Sequence, residues 1–292
     1  MASILDLIGN TPLVEIRKIF QHPKIKIYGK LEGNNPGGSV KDRAAYGMIK
    51  GAIDRGDIKN DMRLVEATSG NTGIALAMIA AHFGIGITLV MPENATKERI
   101  QTMQAYGAEV ILTPSDKTIE YARKYAQSLA EKGGYFMLNQ FENPDNWGMH
   151  YRTTGPEIWR DTEGKVTHFV SSMGTTGTIM GTSRALKERN ANVQIVGVQP
   201  VDGSRIPGIR RWSPAFLPKI FEPERVDQVI DVSQTEATDM MRRLAKEESI
   251  FAGMSSGGAV TAALKLAQTL EEGTIVCIIC DRGDRYLSSG IF

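Results

Sequence analysis

Cysteine is nearly absent: the 292-residue chain has two, Cys277 and Cys280. That argues against a disulfide framework, and a zinc site would need a second pair of ligands. The two form a CxxC, which as a redox motif would open a helix. Here it lies in the apolar run 274–280, which reads as a β-strand, where residues three apart face opposite ways. Histidine is scarce too. His22, His82, His150 and His168 show no ligand spacing, so no metal is expected. Net charge is almost nil, since 34 Lys and Arg against 33 Asp and Glu leave +1. This balance argues against a nucleic-acid or membrane partner. The opening Met1-Ala-Ser-Ile-Leu-Asp lacks the basic and apolar regions of a secretion signal, so a cytoplasmic protein is expected. One long window, 73–92, has no formal charge, but it carries His82, Gly84 and Gly86. It reads as a buried helix followed by a buried strand, not as a membrane span.

In bulk the chain is ordinary, with 41% hydrophobic and 23% charged residues, as in a soluble globular protein. Its length fits two domains or one large one. The order of elements says more. A turn at Ile8-Gly-Asn-Thr-Pro-Leu-Val leads into a short strand, and 25–31 reads as a second strand. Strands at 63–67, 85–91 and 109–113 then alternate with helices at 72–83, 96–106 and 118–132. The Asn-, Trp- and Tyr-containing stretch 139–154 reads as a crossover loop. The alternation resumes with helices at 155–161 and 178–189 and strands at 168–172 and 194–199. An irregular aromatic loop at 206–223, helices at 235–248 and 257–270, and a strand at 274–280 complete it. The pattern predicts an α/β protein of two domains, with mostly parallel sheets covered on both faces and a cleft between them. Ligands in such folds sit at the carboxyl ends of strands, where helix N-termini point.

Four turns carry chemistry. The first, Asn34-Asn35-Pro36-Gly37-Gly38-Ser39-Val40-Lys41-Asp42-Arg43, sets a lysine at the mouth of a helix that ends at Gly56. Ser39 is the predicted N-cap, and Asp42 completes a variant capping box. A cation in the first turn meets the positive end of the helix dipole, which would lower its pKa, as a nucleophilic or basic lysine needs. A solvated surface lysine is the plain alternative. Next, Thr68-Ser69-Gly70-Asn71-Thr72-Gly73 follows a strand and opens a helix. Its backbone N–H groups, hydroxyls and amide suit a carboxylate, with ordinary helix capping as the alternative.

The third turn, Gly174-Thr175-Thr176-Gly177-Thr178, lacks both a Gly-Lys-Ser/Thr ending and the G-x-G-x-x-G spacing. It suits a phosphate monoester instead. The fourth, Gly253-Met254-Ser255-Ser256-Gly257-Gly258, opens the last long helix and reads equally well as a plain cap. A lysine at a helix mouth, a phosphate loop and no nucleotide or metal motif together suggest pyridoxal phosphate. That cofactor needs a Schiff-base lysine, a phosphate cradle and a partner for its ring nitrogen. A serine at the nitrogen leaves the ring a weaker electron sink, which favours β-elimination and replacement over transamination.

The chain resembles the fold-type II pyridoxal-phosphate enzymes, and along its full length the cysteine synthases (O-acetylserine sulfhydrylases). The matching segments are Gly9-Asn-Thr-Pro-Leu, Lys30-Leu-Glu-Gly-Asn-Asn-Pro, Gly38-Ser-Val-Lys-Asp-Arg, Glu66-Ala-Thr-Ser-Gly-Asn-Thr-Gly, Thr153-Thr-Gly-Pro-Glu-Ile-Trp, Gly174-Thr-Thr-Gly-Thr and Ser255-Ser-Gly-Gly. The B isoforms of that family are nearest, on Ile206-Pro-Gly-Ile-Arg-Arg-Trp and Cys280-Asp-Arg-Gly-Asp-Arg-Tyr-Leu-Ser. The resemblance implies a tryptophan synthase β-like fold of two three-layer α/β domains with twisted sheets. The smaller, mobile domain would be 37–142, and 1–36 plus 143–292 would form the larger, cofactor-binding one.

It implies Lys41 as the Schiff-base lysine and as the base that moves the Cα proton. Asn71 would meet the ring hydroxyl, Gly174, Thr175, Thr176, Gly177 and Thr178 the phosphate, and Ser255 the pyridine nitrogen. Thr68, Ser69, Gly70, Asn71 and Thr72, with Gln140, would receive the substrate carboxylate. The implied reaction is β-replacement: O-acetyl-L-serine loses acetate to give α-aminoacrylate, and sulfide adds to give L-cysteine. B isoforms also take thiosulfate, giving S-sulfo-L-cysteine, and Arg210, Arg211, Cys280 and Asp281 are the candidates for handling that larger anion. The family further implies a homodimer. O-phosphoserine-dependent cysteine synthases and cystathionine or lanthionine synthases, which share the fold, are the nearest alternatives.

Overall fold

Two sheets organise the chain, and each draws its strands from a different part of the sequence. The computed structural model describes residues 1–68, 70–117 and 119–292. In chain order the strands are β1 (Leu13–Glu15), β2 (Ile25–Leu31), β3 (Arg63–Ala67), β4 (Ile87–Pro92), β5 (Glu109–Thr113), β6 (Tyr135–Met137), β7 (His168–Ser172), β8 (Gln194–Pro200), β9 (Gln228–Val232) and β10 (Gly273–Ile279). The helices are α1 (Lys41–Arg55), α2 (Asn71–His82), α3 (Lys97–Ala105), α4 (Ile119–Glu131), α5 (Pro144–Arg152), α6 (Thr154–Asp161), α7 (Gly177–Arg189), α8 (Gln234–Glu248) and α9 (Met254–Ala267). The larger sheet has the order β1-β2-β10-β7-β8-β9 and the smaller one β5-β4-β3-β6. Pairing is parallel throughout except between β1 and β2.

The α/β reading with mostly parallel sheets therefore holds. It was legible because parallel strands covered on both faces become continuous apolar runs, as in fully buried β4. The charge-free window became α2 and β4, and among the described residues no helix is long and apolar enough to cross a membrane. Apolar clusters cover both faces of each sheet. Leu5 and Ile8, from the N-terminal end, pack into the cluster of α1, α2 and β4.

Two expectations about elements need correction, and two strands went unread. The stretch read as a crossover loop contains α5, started by Asn143, whose side chain accepts from the Asp145 N–H at 2.9 Å, and by Pro144 in the first turn. The last long helix starts at Met254, not at 257, because its glycines serve packing and not a turn. A Cβ on Gly257 would lie 2.0 Å from the Ala237 carbonyl of α8. Strands β6 and β9 were not foreseen: β6 has only three residues, and β9 is a largely exposed edge strand without an apolar run.

Buried charge anchors the start of α1. Arg43 is fully buried and donates to Glu32 at 2.7 and 2.8 Å and to Glu157 at 2.7 and 2.8 Å. Lys30, equally buried, reaches Glu157 at 2.9 Å and the Thr11 carbonyl at 2.6 Å. Burial alone would push the Glu157 carboxyl up, but Arg43 and Lys30 hold it down at about 2. Removing one member leaves the others buried and unpaired, which costs far more than the pair itself contributes. Arg43→Met should therefore destabilise the protein by about 3–5 kcal/mol in urea unfolding. Loss of the exposed Lys50–Asp54 pair should cost only about 0.5 kcal/mol or less. Equal costs would show that the buried network does not anchor α1.

Candidate active site

Lys41 is the first residue of α1, and the end of β10 holds it there. The Val40 N–H donates to the Cys280 carbonyl at 2.8 Å, and Ser39 forms an antiparallel bridge with Asp281. The predicted capping box is not made. Ser39 Oγ does accept from the Lys41 N–H at 3.2 Å, but the Asp42 carboxylate turns back to the Gly37 N–H at 2.5 Å. Gly37 is required because a Cβ would lie 2.5 Å from that carboxylate, and Gly38 because its φ is +81°. Lys41 is partly buried, and desolvation lowers its pKa, opposed by the nearby Cys280 and Asp281. The direction is the expected one, and the cause is burial more than the helix end.

The second turn lies beside it. Asn71 starts α2 and donates from Nδ2 to Asp281 Oδ2 at 2.6 Å, while its Oδ1 accepts from Arg285 at 2.8 Å. Thr72 Oγ1 donates to Gln140 Oε1 at 2.9 Å, so Gln140 does reach this turn. Thr68 Oγ1 accepts from the Gly70 N–H at 3.3 Å, and Ser69 lies outside the described residues.

The Gly174–Thr176 turn enters α7 with Thr176 at φ +70° and with the side chains of Thr175, Thr176 and Thr178 buried. Among the described residues nothing accepts from the backbone N–H groups of Gly174, Thr175 and Thr176. A Cβ on Gly174 would lie 2.7 Å from the Gly208 carbonyl, and one on Gly177 only 2.0 Å from Asn146 Oδ1. Backbone donors without a described acceptor, at a helix mouth where Gly174 and Gly177 leave no room for a Cβ, fit a phosphate monoester, so the turn suits the phosphate of pyridoxal phosphate.

Two residues that sequence reasoning missed hold this turn. Asn146 Nδ2 donates to Thr175 Oγ1 at 3.2 Å and to the carbonyl of Gln140, the residue that Thr72 reaches, at 2.7 Å, so it links the 174–178 turn to the 68–73 turn. His150 lies 3.3 Å from Thr178 Oγ1 and 2.8 Å from Thr154 Oγ1, and burial with Arg43 nearby brings its pKa down to about 3, so the ring is neutral. Both sit on α5, which the sequence presents as loop.

Ser255 is buried in the first turn of α9, and its hydroxyl contacts the Cys280 thiol. Burial pushes that thiol up to about 12, so Cys280 is a neutral thiol. Cys277, within β10, is likewise free. The 206–212 loop is pinned over the phosphate turn, with Trp212 Nε1 on the Gly174 carbonyl at 2.8 Å. Arg210 lies 5.6 Å from the Trp212 ring, whereas Arg211 is taken up by the Pro200 carbonyl at 2.8 Å and by Asp202 and Asp231 at 3.1 and 2.5 Å.

The described structure thus brings Lys41, Asn71, Ser255, Cys280 and Asp281 together and leaves Arg211 committed elsewhere. Beneath the carboxylate turn lies buried Glu66, which accepts from the Asn139 N–H at 2.8 Å. Burial raises both Glu66 and Asp42 to about 7. A raised carboxyl binds its proton more tightly in the folded state, so stability falls as pH rises from about 4.5 toward 7. Glu157, held low, titrates below that window. Glu66→Gln should flatten the fall in Tm between pH 5 and 7, and an unchanged slope would remove Glu66 from the account.

Comparison with known proteins agrees with this geometry. A family described as pyridoxal-phosphate dependent enzymes matches residues 4–281. The chain is 58% identical over 290 residues to cysteine synthase B of Pseudomonas aeruginosa, covering 99% of this chain and 97% of the relative. It is 54% identical over 292 residues to cysteine synthase B of Escherichia coli, covering 100% and 96%. Among solved structures, a cysteine synthase from Entamoeba histolytica superposes with a TM-score of 0.94 at 39% identity, over 100% of this chain and 90% of that one.

Proposed function

The chain belongs to the family of pyridoxal-phosphate dependent enzymes, and on that premise we propose that it is a cysteine synthase, converting O-acetyl-L-serine and sulfide to L-cysteine and acetate. The observation that carries this reading is that one short segment, Cys280–Asp281, gathers three of the four expected cofactor contacts, Lys41, Ser255 and Asn71. The backbone of Val40, next to Lys41, donates to Cys280, Ser255 contacts the Cys280 thiol, and Asn71 donates to Asp281.

In this reading Lys41 Nζ holds the cofactor's aldehyde carbon, the Gly174–Thr178 turn its phosphate, Ser255 its ring nitrogen and Asn71 its ring hydroxyl. When bound, pyridoxal phosphate supplies the electron sink that acidifies the substrate Cα and lets acetate leave. The chain supplies the rest. N–H groups at the mouth of α2, with Thr68, Ser69, Gly70, Thr72 and Gln140, bind the substrate carboxylate. Once the substrate amine has displaced it, Lys41 Nζ, whose pKa desolvation lowers, takes the Cα proton and later returns it. Movement of 37–142 against 1–36 plus 143–292, with the carboxylate turn on the smaller part, excludes water once substrate is bound. We place the enzyme in the cytoplasm as a homodimer, by family resemblance.

Thiosulfate is the second sulfur donor in this proposal. Arg210 supports it, because its charge lies beside the Trp212 ring on the loop over the phosphate turn, whereas Arg211 is paired with Asp202 and Asp231. Cys280 and Asp281, at the same centre, border the space for the incoming sulfur.

Purified protein given O-acetylserine and sulfide should release cysteine, and Lys41→Ala should lower that rate by about 10²–10⁴-fold. Full turnover in the variant would refute the assignment. Arg210→Ala should raise KM for thiosulfate while sparing sulfide, and Arg211→Ala should do neither. The reverse order would remove Arg210 from the proposal.

A further inference from the structure

We propose that Arg285 is a positioning residue that fixes the orientation of the Asn71 carboxamide and ties it to the Lys41 loop. The inference deepens the reading above and rests on Asn71 being a cofactor contact. Arg285 lies in the short 3-10 segment Gly283–Ser289 that follows β10, and it is 8% exposed. Its guanidinium donates to Asn71 Oδ1 at 2.8 Å and to the Gly37 carbonyl. The loop is shaped around it: a Cβ on Gly38 would lie 2.6 Å from Arg285 Nη2.

The chemistry of the partners leaves the amide one orientation. A guanidinium has only donors, so it must face Oδ1, which leaves Nδ2 to donate to Asp281 Oδ2, as it does. Asp281 Oδ2 takes one hydrogen of that NH2 at 2.6 Å and also accepts from Tyr286 OH at 2.6 Å. The second Nδ2 hydrogen remains for an acceptor in the site, as a ring hydroxyl oxygen requires. A flipped amide would present Oδ1 to Asp281 and Nδ2 to Arg285, repelling both. The segment that carries Arg285 is itself fastened to α3, where Glu98 accepts from Ser288 N at 3.0 Å and Oγ at 2.6 Å, and Arg99 lies 5.0 Å from the Tyr286 ring centre. Arg285 therefore spans the Lys41 loop and the start of α2 from a segment that is itself held to α3.

The test uses holoprotein labelled with ¹⁵N-asparagine, with the Asn71 side-chain NH2 identified through Asn71→Ala. Arg285→Met should speed exchange of that NH2 with water by about 10-fold or more, as expected on losing a hydrogen bond to a charged group. Arg285→Lys, which keeps the buried charge and one donor, should restore part of the protection, and it serves in place of Arg285→Met where the latter unfolds. In kcat/KM, Arg285→Met should cost about 10–100-fold alone and nothing further in the Asn71→Ala background, as when two residues act through one contact. Unchanged exchange, or losses that multiply in the double variant, would overturn the proposal. Failure of wild-type protein to form cysteine would instead refute the functional reading, and the exchange result would stand apart from it.

Discussion

The site depends on how the end of β10 holds the start of α1. Two backbone contacts, Val40 to Cys280 and Ser39 to Asp281, set the first turn of the helix against the carboxyl end of a buried strand. That placement takes the Lys41 amine partly out of water and lowers its pKa. The same two residues, Cys280 and Asp281, then meet Ser255 and Asn71. One strand end thus gathers groups contributed by α1, α2 and α9, which lie more than 200 residues apart from first to last.

Around this centre the charges divide by purpose. The Arg43, Glu32, Glu157 and Lys30 network is paired at every member and anchors α1 two residues beyond the lysine. Asp281 is different: its Oδ2 is used twice, whereas Oδ1 has no partner among the described residues. A buried unpartnered carboxylate oxygen costs stability, and such costs concentrate where function requires them. Arg210 and Arg211 divide similarly, one facing an aromatic ring above the phosphate turn and the other neutralised by two aspartates.

How much of this was legible follows from the range of each interaction. The alternation of strands and helices could be read because burial on both faces writes apolar runs directly into β4 and β10, while β2 shows a two-residue alternation. The helix-mouth turns could be read because capping chemistry is local. Helix α5 was missed although Asn143 and Pro144 announce it, since its aromatic and polar residues mask the apolar period. Gly257 read as a turn because the Ala237 carbonyl that excludes a side chain lies 20 positions away. Asn146, His150 and Arg285 carry no local signal at all; their partners Thr175, Thr178 and Asn71 are distant in sequence. The pairing of Arg211 with Asp231 was invisible for the same reason.

The central claim is that Lys41 is the residue to which the cofactor is joined. Borohydride reduction of the holoprotein, followed by proteolysis and mass spectrometry, tests it directly by making that bond permanent. The account predicts the pyridoxyl mass on the peptide carrying Lys41. A pyridoxyl group on any other lysine, or no labelled peptide in protein shown to hold the cofactor, would contradict it.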